Sequence, residues 1–249
     1  GAIPATIAVL DGKIRIGVGE DEIERLAAGE NLKKISVRDI PIAVANGWSG
    51  GTTVAGTIFC AHQAKIGIFA TGGIGGVHRG HGFDISADLI QISKTPIIIV
   101  CSGAQAILVL QATIEYLETF SVPVRGYQTN ELPAFYSRSS GINIDTRVDT
   151  AEEIVDIARA NAGLGLQNSI LVVNPPPLET EISSKKINQA VERALSEAER
   201  DHIIGKNVTP YLLQKVAEKT SGESMHANLG LLKSNARLAG MIAIADSRR

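Results

Sequence analysis

Short runs of β-forming apolar residues that alternate with helix-forming stretches constrain this chain most. Residues 66–70, 96–100, 122–127 and 169–174 have this character, and the last is cut off by Pro175-Pro176-Pro177. Before, between and after them, residues 54–64, 104–119, 151–162 and 187–198 read as helices. In the last of these, Ile187, Ala190, Val191, Ala194 and Leu195 recur at helical spacing on one face. A chain that alternates in this way predicts a largely parallel sheet covered by helices on both faces. The expected fold is therefore α/β: a three-layer α/β/α arrangement around a largely parallel, mixed central sheet. With no repeat, low-complexity tract or linker in the sequence, residues 1–249 are expected to form a single domain.

The flanks add detail. Residues 6–10 and 13–18 surround Asp11-Gly12, a pair that favours the primed turn of a hairpin. Residues 21–28 read as a short acidic helix stopped by Gly29, and residues 40–45 as the next strand. Thr209-Pro210 fits an N-cap with proline at the first helical position, opening a helix over 211–219, and residues 224–244 read as the last helix.

Composition narrows the function classes. A formal net charge of -2 over 249 residues gives no electrostatic basis for binding a nucleic-acid polymer or an anionic membrane. No apolar run has the length needed to span a bilayer. The opening Gly1-Ala2-Ile3-Pro4-Ala5-Thr6 lacks a basic region followed by an apolar core, so no leader is expected. Cys60 and Cys101 sit in apolar runs and are expected to be buried free thiols, as in a reducing compartment. The expectation is a soluble, cytoplasmic protein.

The most unusual stretch is Thr71-Gly72-Gly73-Ile74-Gly75-Gly76-Val77-His78-Arg79-Gly80, directly after a strand run. It is neither a dinucleotide fingerprint, since His78 stands where the last glycine would fall, nor a Walker A loop, since no Gly-Lys-Ser/Thr follows. Two readings stand side by side. Glycine N–H groups open to an anion, helped by Arg79, would bind a phosphate; a plain turn needing positive φ would use the same residues.

Phe83-Asp84-Ile85-Ser86-Ala87-Asp88 then places two carboxylates four apart. On a helix both would point from one face and could hold a hydrated divalent cation, with His78 and His81 nearby. Asp84 or Ser86 as a helix N-cap is the competing reading. Lys34, Arg38 and Asp39 make a charge cluster that reads as solvated surface, and Asn228 is, taken alone, an unremarkable polar residue near a helix start.

Together these segments resemble the pseudouridine-5'-phosphate glycosidase family, also called the indigoidine synthase A-like family. The resemblance runs in order through Pro4-Ala5-Thr6-Ile7-Ala8, Gly51-Thr52-Thr53-Val54, the glycine-rich stretch, Phe83 to Asp88, Tyr116-Leu117-Glu118-Thr119-Phe120 and Gly126-Tyr127-Gln128-Thr129. It continues through Leu132-Pro133-Ala134-Phe135, Asn174-Pro175, Gly205-Lys206, Thr209-Pro210 and Ala227-Asn228.

The resemblance implies cleavage of the C-glycosidic bond of pseudouridine 5'-phosphate to uracil and ribose 5-phosphate. It further implies a divalent metal, typically Mn²⁺, and a homotrimer. By position it makes Asp84 the metal residue. Ser86, Ala87, Asp88, Lys34 and Val54 become substrate contacts and Asn228 a site asparagine, while Thr71, Gly72, Gly73 and His78 belong to a loop cradling the 5'-phosphate.

Two departures accompany it. The family captures the opened ribose as an imine on a lysine, and Val100-Cys101-Ser102-Gly103-Ala104-Gln105-Ala106-Ile107 puts Gln105 at that lysine's place. An amide nitrogen, delocalised into its carbonyl, is not basic and forms no Schiff base. The family's acid, a glutamate, falls before the point matching Gly1. Family chemistry is thus expected to be impaired, with Lys34 as the only substitute nucleophile the resemblance places in the pocket. The alternatives are a catalytically inactive phosphosugar-binding protein and a related enzyme that forms C-glycosides.

Overall fold

The computed structural model describes residues 1–29, 31–79, 84–203 and 208–248. Strands β1 (Ile7–Leu10) and β2 (Lys13–Ile16) form the expected antiparallel hairpin, with Leu10 paired to Lys13. Asp11 (φ 49°) and Gly12 (φ 72°) are both left-handed, which is what a primed two-residue turn demands. Helix α1 (Glu20–Ala28) follows, acidic in its first turn and ended at Gly29. Strand β3 (Lys33–Ile35) runs parallel to β4 (Gly50–Thr52), and β4 joins the hairpin through β1 in a four-stranded sheet of order β2-β1-β4-β3.

Residues 40–45 are not a strand: they form helix α2 (Ile40–Ala45). Asp39 accepts the Ser36 N–H at 2.9 Å and closes a turn that feeds the helix. Pro41 then falls in the first helical turn, where a missing N–H leaves no bond unmade. Ile40 and Ala43, three apart, are buried, whereas Ile42 and Val44 are exposed; a strand would have put Ile40, Ile42 and Val44 on one face.

The second sheet comprises β5 (Ile68–Ala70), β6 (Ile98–Cys101), β7 (Val124–Tyr127), β8 (Arg147–Val148) and β9 (Ile170–Val173), in the order β5-β6-β9-β7-β8. All its pairings are parallel. The mixed character expected of one sheet is thus divided between two, the antiparallel pairings belonging to the hairpin sheet.

Alternating residues of the central strands face opposite layers, as a pleated strand requires. Ile98, Val100, Ile170 and Val172 pack with α6 (Ala151–Gly163) and the C-terminal half of α9 (Glu223–Ser247). Ile99, Cys101, Leu171 and Val173 belong to the larger core, shared with α3 (Val54–Gln63), α4 (Ala87–Ser93), α5 (Leu110–Thr119), α7 (Ser184–Arg200) and α8 (Val208–Lys219). These strand residues are nearly or fully buried, and each is worth roughly 1.5–3 kcal/mol relative to exposure. The α/β/α layering is therefore as expected.

Two helix starts differ from the sequence reading. The helix expected from residue 104 begins only at Leu110, because residues 104–109 are held by pairing with the glycine-rich stretch. Thr209 is no N-cap, since α8 is already running at Val208. Gly80, His81, Gly82, Phe83, Gly205 and Lys206 lie outside the described residues. No described helix is long and apolar enough to cross a membrane.

Candidate functional site

In a largely parallel sheet, ligands bind beyond the carboxyl ends of the strands. Here β5, β6 and β9 run into Thr71, Ser102 and Asn174. The Thr71 N–H donates to Val100 O at 3.0 Å, Ser102 N–H to Gly72 O at 2.9 Å and Asn174 N–H to Cys101 O at 2.8 Å, so the three ends stay in line.

Beyond them the glycine-rich stretch runs beside residues 103–109. Ile74 N–H donates to Gly103 O, Gln105 N–H to Ile74 O (both 3.1 Å) and Val109 N–H to Val77 O (2.9 Å). His78 N–H then donates to Asp84 O and Ser86 N–H to Gly76 O, each at 2.9 Å, pairing residues 76–78 with 84–86.

This arrangement supplies a further reason for the glycines, and it is not the positive φ of a plain turn. Gly72, Gly73, Gly75 and Gly76 all avoid positive φ. What they lack room for is a Cβ. At Gly73 one would lie 2.6 Å from the Phe135 ring, at Gly75 2.2 Å from Ser86 Oγ, and at Gly76 2.3 Å from Thr113 Oγ1. The stretch is a strap pressed between neighbours.

Nor are its amides uniformly open. The N–H groups of Ile74, Gly75, Val77 and His78 donate to Gly103 O, Asp88 Oδ2, Thr113 Oγ1 and Asp84 O. Those of Gly72, Gly73 and Gly76 have no partner among the described residues. Phe135, whose N–H donates to Ser102 O at 3.1 Å, is held at φ 62°, a backbone region costing on the order of 1–3 kcal/mol for such a residue.

Asp84 and Asp88 do not share a helical face. Ser86 is the N-cap of α4, accepting the Asp88 N–H at 3.2 Å, and Asp84 precedes the helix in paired extended chain. The Asp88 side chain is buried, with Oδ1 accepting the Ala55 N–H and Oδ2 the Gly75 N–H, both at 2.8 Å. Its carboxylate clamps the start of α3, and with it Val54, against the strap. Asp84 is exposed and bonds to no described residue through its side chain.

Among the described residues no three His, Cys, Asp or Glu side chains come together. A hard cation that keeps most of its waters needs only one or two carboxylates. Asp84 has an unengaged carboxylate for such an ion, whereas each Asp88 oxygen already accepts a backbone N–H.

The remaining expected residues fall as follows. Gln105 is half-buried at the end of the β6 segment, and its carboxamide is bonded to no described residue. Asn228, half-buried on α9, has its Oδ1 3.2 Å from where a Gly72 Cβ would sit. His78 is half-buried, and Ala87 and Lys34 are exposed; Lys34 pairs in register with Gly51, three residues before Val54. The strap thus gathers Val54, Ser86, Asp88, Gln105 and Asn228, while Lys34 stays at the border of the cluster. Arg38 and Asp39 pair at 3.8 Å as surface charges.

Cys60 and Cys101 are free and buried, and burial pushes the Cys101 thiol up to about 12, so neither offers a thiolate.

Sequence reasoning missed a buried polar knot behind these loops. Asn235 of α9 is fully buried; its Nδ2 donates to Thr71 O at 2.8 Å and Ser102 Oγ at 3.1 Å, and its Oδ1 accepts from Asn174 Nδ2 at 2.9 Å. The available signal was one amide among Ala227, Leu231, Leu238, Ile242 and Ala245, an otherwise apolar helical stripe.

A parallel sheet carries at its carboxyl ends a glycine strap, a buried carboxylate clamp and free amide side chains, and the chain belongs to the indigoidine synthase A-like proteins, whose family model matches residues 1–245. Among its relatives is the pseudouridine-5'-phosphate glycosidase of Geobacillus kaustophilus, 50% identical over 245 residues, covering 98% of this chain and 81% of that protein. The Legionella pneumophila protein of the same name is 49% identical over 251 residues, covering 100% and 81%.

Two solved structures agree. The prealnumycin C-glycosynthase AlnA, in complex with ribulose 5-phosphate, superposes with a TM-score of 0.92 at 40% identity, covering 100% of this chain and 82% of that one. An indigoidine synthase A-like protein from Thermotoga maritima gives 0.91 at 40% identity, covering 98% and 81%.

Proposed function

We propose that this chain binds a 5-phosphorylated ribose derivative, pseudouridine 5'-phosphate or ribose 5-phosphate, at the carboxyl ends of β5, β6 and β9. We further propose that the C-glycosidase chemistry of its relatives is impaired in it, because Gln105 holds the lysine's position. The observation that carries this reading is Gln105 itself: half-buried, bonded to the strap only through its backbone, its carboxamide free. Its nitrogen has no basic lone pair with which to attack C1'.

Several features support the binding half. Gly72 and Gly73 are buried with N–H groups lacking a described partner, a condition that calls for a ligand or water. Thr71 and His78 would complete the phosphate cradle, with Val54, Ser86, Ala87, Asp88, Lys34 and Asn228 around the sugar and base. Asp88 would act there through the strap it clamps. Mn²⁺ or another divalent cation would be held, largely hydrated, by Asp84, and would supply positive charge to oxygens of the substrate.

Lys34, exposed on β3, lacks the desolvation that would activate it as a substitute nucleophile in this conformation. We expect a cytoplasmic homotrimer, to be measured by light scattering.

The deciding experiment follows nucleoside absorbance with pseudouridine 5'-phosphate and Mn²⁺, alongside calorimetric titration with ribose 5-phosphate. Binding without turnover is expected. Turnover on the order of 1–10³ s⁻¹, ordinary for enzymes, would overturn the impairment, and absence of binding would overturn the site. A second reading, formation of a C-glycoside on another aglycone, is favoured by the likeness to a C-glycosynthase complexed with ribulose 5-phosphate. Product formed from a phosphopentose and an aromatic acceptor would establish it.

A further inference from the structure

Asn235 lies on α9 between Leu231, which belongs to the larger core, and Leu238, which packs in the opposite layer. A polar residue with no exposed surface at such a place must bond fully, since a buried amide left unpaired costs about 1–3 kcal/mol. Its partners are the first residues beyond three strands: Thr71 after β5, Ser102 after β6 and Asn174 after β9.

Thr71 O can only accept, which fixes the Asn235 Nδ2 on that side and turns Oδ1 to the donor Asn174 Nδ2. Asn174 Nδ2 is also 3.0 Å from Ser234 Oγ, so α9 holds the β9 end twice. A carboxamide, with a donor and an acceptor in one plane, serves a carbonyl and an amide N–H at once. Aspartate would set oxygen against Thr71 O, and leucine would leave Thr71 O and Ser102 Oγ unmet.

The two segments fixed in this way are the ones that bear the proposed site: Thr71 leads into Gly72 and Gly73, and Ser102 leads into Gly103, Ala104 and Gln105. We infer that Asn235 is a positioning residue that sets the spacing between the glycine strap and the segment carrying Gln105. It touches no substrate and acts through the Thr71 carbonyl and the Ser102 hydroxyl. Its consequence for ligand binding rests on the phosphopentose reading given above; its consequence for the two segments does not.

The test compares Asn235→Ala with Leu238→Ala, which lies on the same helix, faces the apolar layer and bonds to no strand end. Well below each variant's unfolding midpoint, Asn235→Ala is expected to lose at least tenfold in affinity for ribose 5-phosphate. Amide hydrogen exchange at residues 71–74 and 102–105 is expected to speed up together. Leu238→Ala should leave both readouts near wild type despite a lower midpoint, and equal changes in the two variants would reduce Asn235 to a stability residue and overturn the inference.

If Asn235→Ala does not fold, Ser102→Ala removes one bond of the knot and should shift exchange in the same two segments only; unchanged exchange there would overturn it too. Failure of wild type to bind ribose 5-phosphate would count against the phosphopentose site alone, with hydrogen exchange still deciding the role of Asn235.

Discussion

The Asp88 carboxylate accepts the backbone N–H of Gly75 at 2.8 Å while its other oxygen accepts that of Ala55 at the same distance, so one buried side chain joins the hairpin-sheet half of the molecule to the strap. Both bonds are charge-assisted and shielded from water, where such bonds contribute most. Asp88→Ala leaves two amides unmet and is expected to destabilise by roughly 2–4 kcal/mol. Asp88→Asn, which turns a donor toward one of them, should cost about 1–3 kcal/mol. Denaturant unfolding of both variants measures this, and values within 0.5 kcal/mol of wild type would contradict the clamp.

The glycine strap makes a contrasting pair of alanine substitutions informative. A Cβ at Gly75 would sit 2.2 Å from Ser86 Oγ and 2.7 Å from Asp88 Oδ2, whereas one at Gly51 meets nothing within 4 Å. Gly75→Ala is expected to cost roughly 1–3 kcal/mol through overpacking. Gly51→Ala should stay within about 0.5 kcal/mol of wild type, as surface changes do. Thermal unfolding of the two proteins side by side checks the ranking.

Asp84 is exposed and its carboxylate supports no described neighbour, so Asp84→Asn should leave the unfolding midpoint where it is. Under the metal proposal the same change should weaken Mn²⁺ binding by tenfold or more, read by the paramagnetic signal of the free ion. Unaltered Mn²⁺ affinity would move the metal away from this residue.

Gln105→Lys restores a primary amine at the end of the β6 segment. Treatment with ribose 5-phosphate and borohydride should then give one reduced adduct by mass spectrometry, mapped to position 105. Wild type should give none, at Lys34 or elsewhere. An adduct at Lys34 in wild type would rehabilitate it as a nucleophile.

Burial holds the Cys101 thiol protonated up to about 12, against 9.0 for the free group. Between those values the folded protein keeps a proton that the unfolded chain has released, so stability falls as pH rises through that window. The slope from one such group is at most about 1.4 kcal/mol per pH unit. Tyr136, also raised by burial, adds to it at the upper end. Cys101→Ala should flatten the fall between pH 9 and 11, and a thiol reagent at pH 8 should label neither cysteine before unfolding.

Local patterns reached the hairpin, because Asp11-Gly12 dictates a turn through its own backbone preferences. They reached the strands β5, β6, β7 and β9 to within about two residues, because apolar runs between breakers admit little else. They failed at residues 40–45, where β-branched residues suggested a strand but Pro41 and the Asp39 turn favoured a helix. They failed again at residues 104–109, whose non-helical form depends on bonds to the strap thirty residues earlier. The candidate site residues were named by resemblance, and the role of Asp88 as a clamp was hidden: spacing alone aligned it with Asp84, while its partners, Ala55 and Gly75, are set by the tertiary fold. Asn235 escaped for the same reason.

Strand β9 sits between β6 and β7, although β6 and β7 both precede it in the chain. During synthesis the five-stranded sheet therefore cannot close when β7 leaves the ribosome; a gap of one strand persists until residues 170–173 emerge. Until then β6 and β7 carry unpaired edges, and a nascent chain halted before Ile170 should need a chaperone to stay out of aggregates.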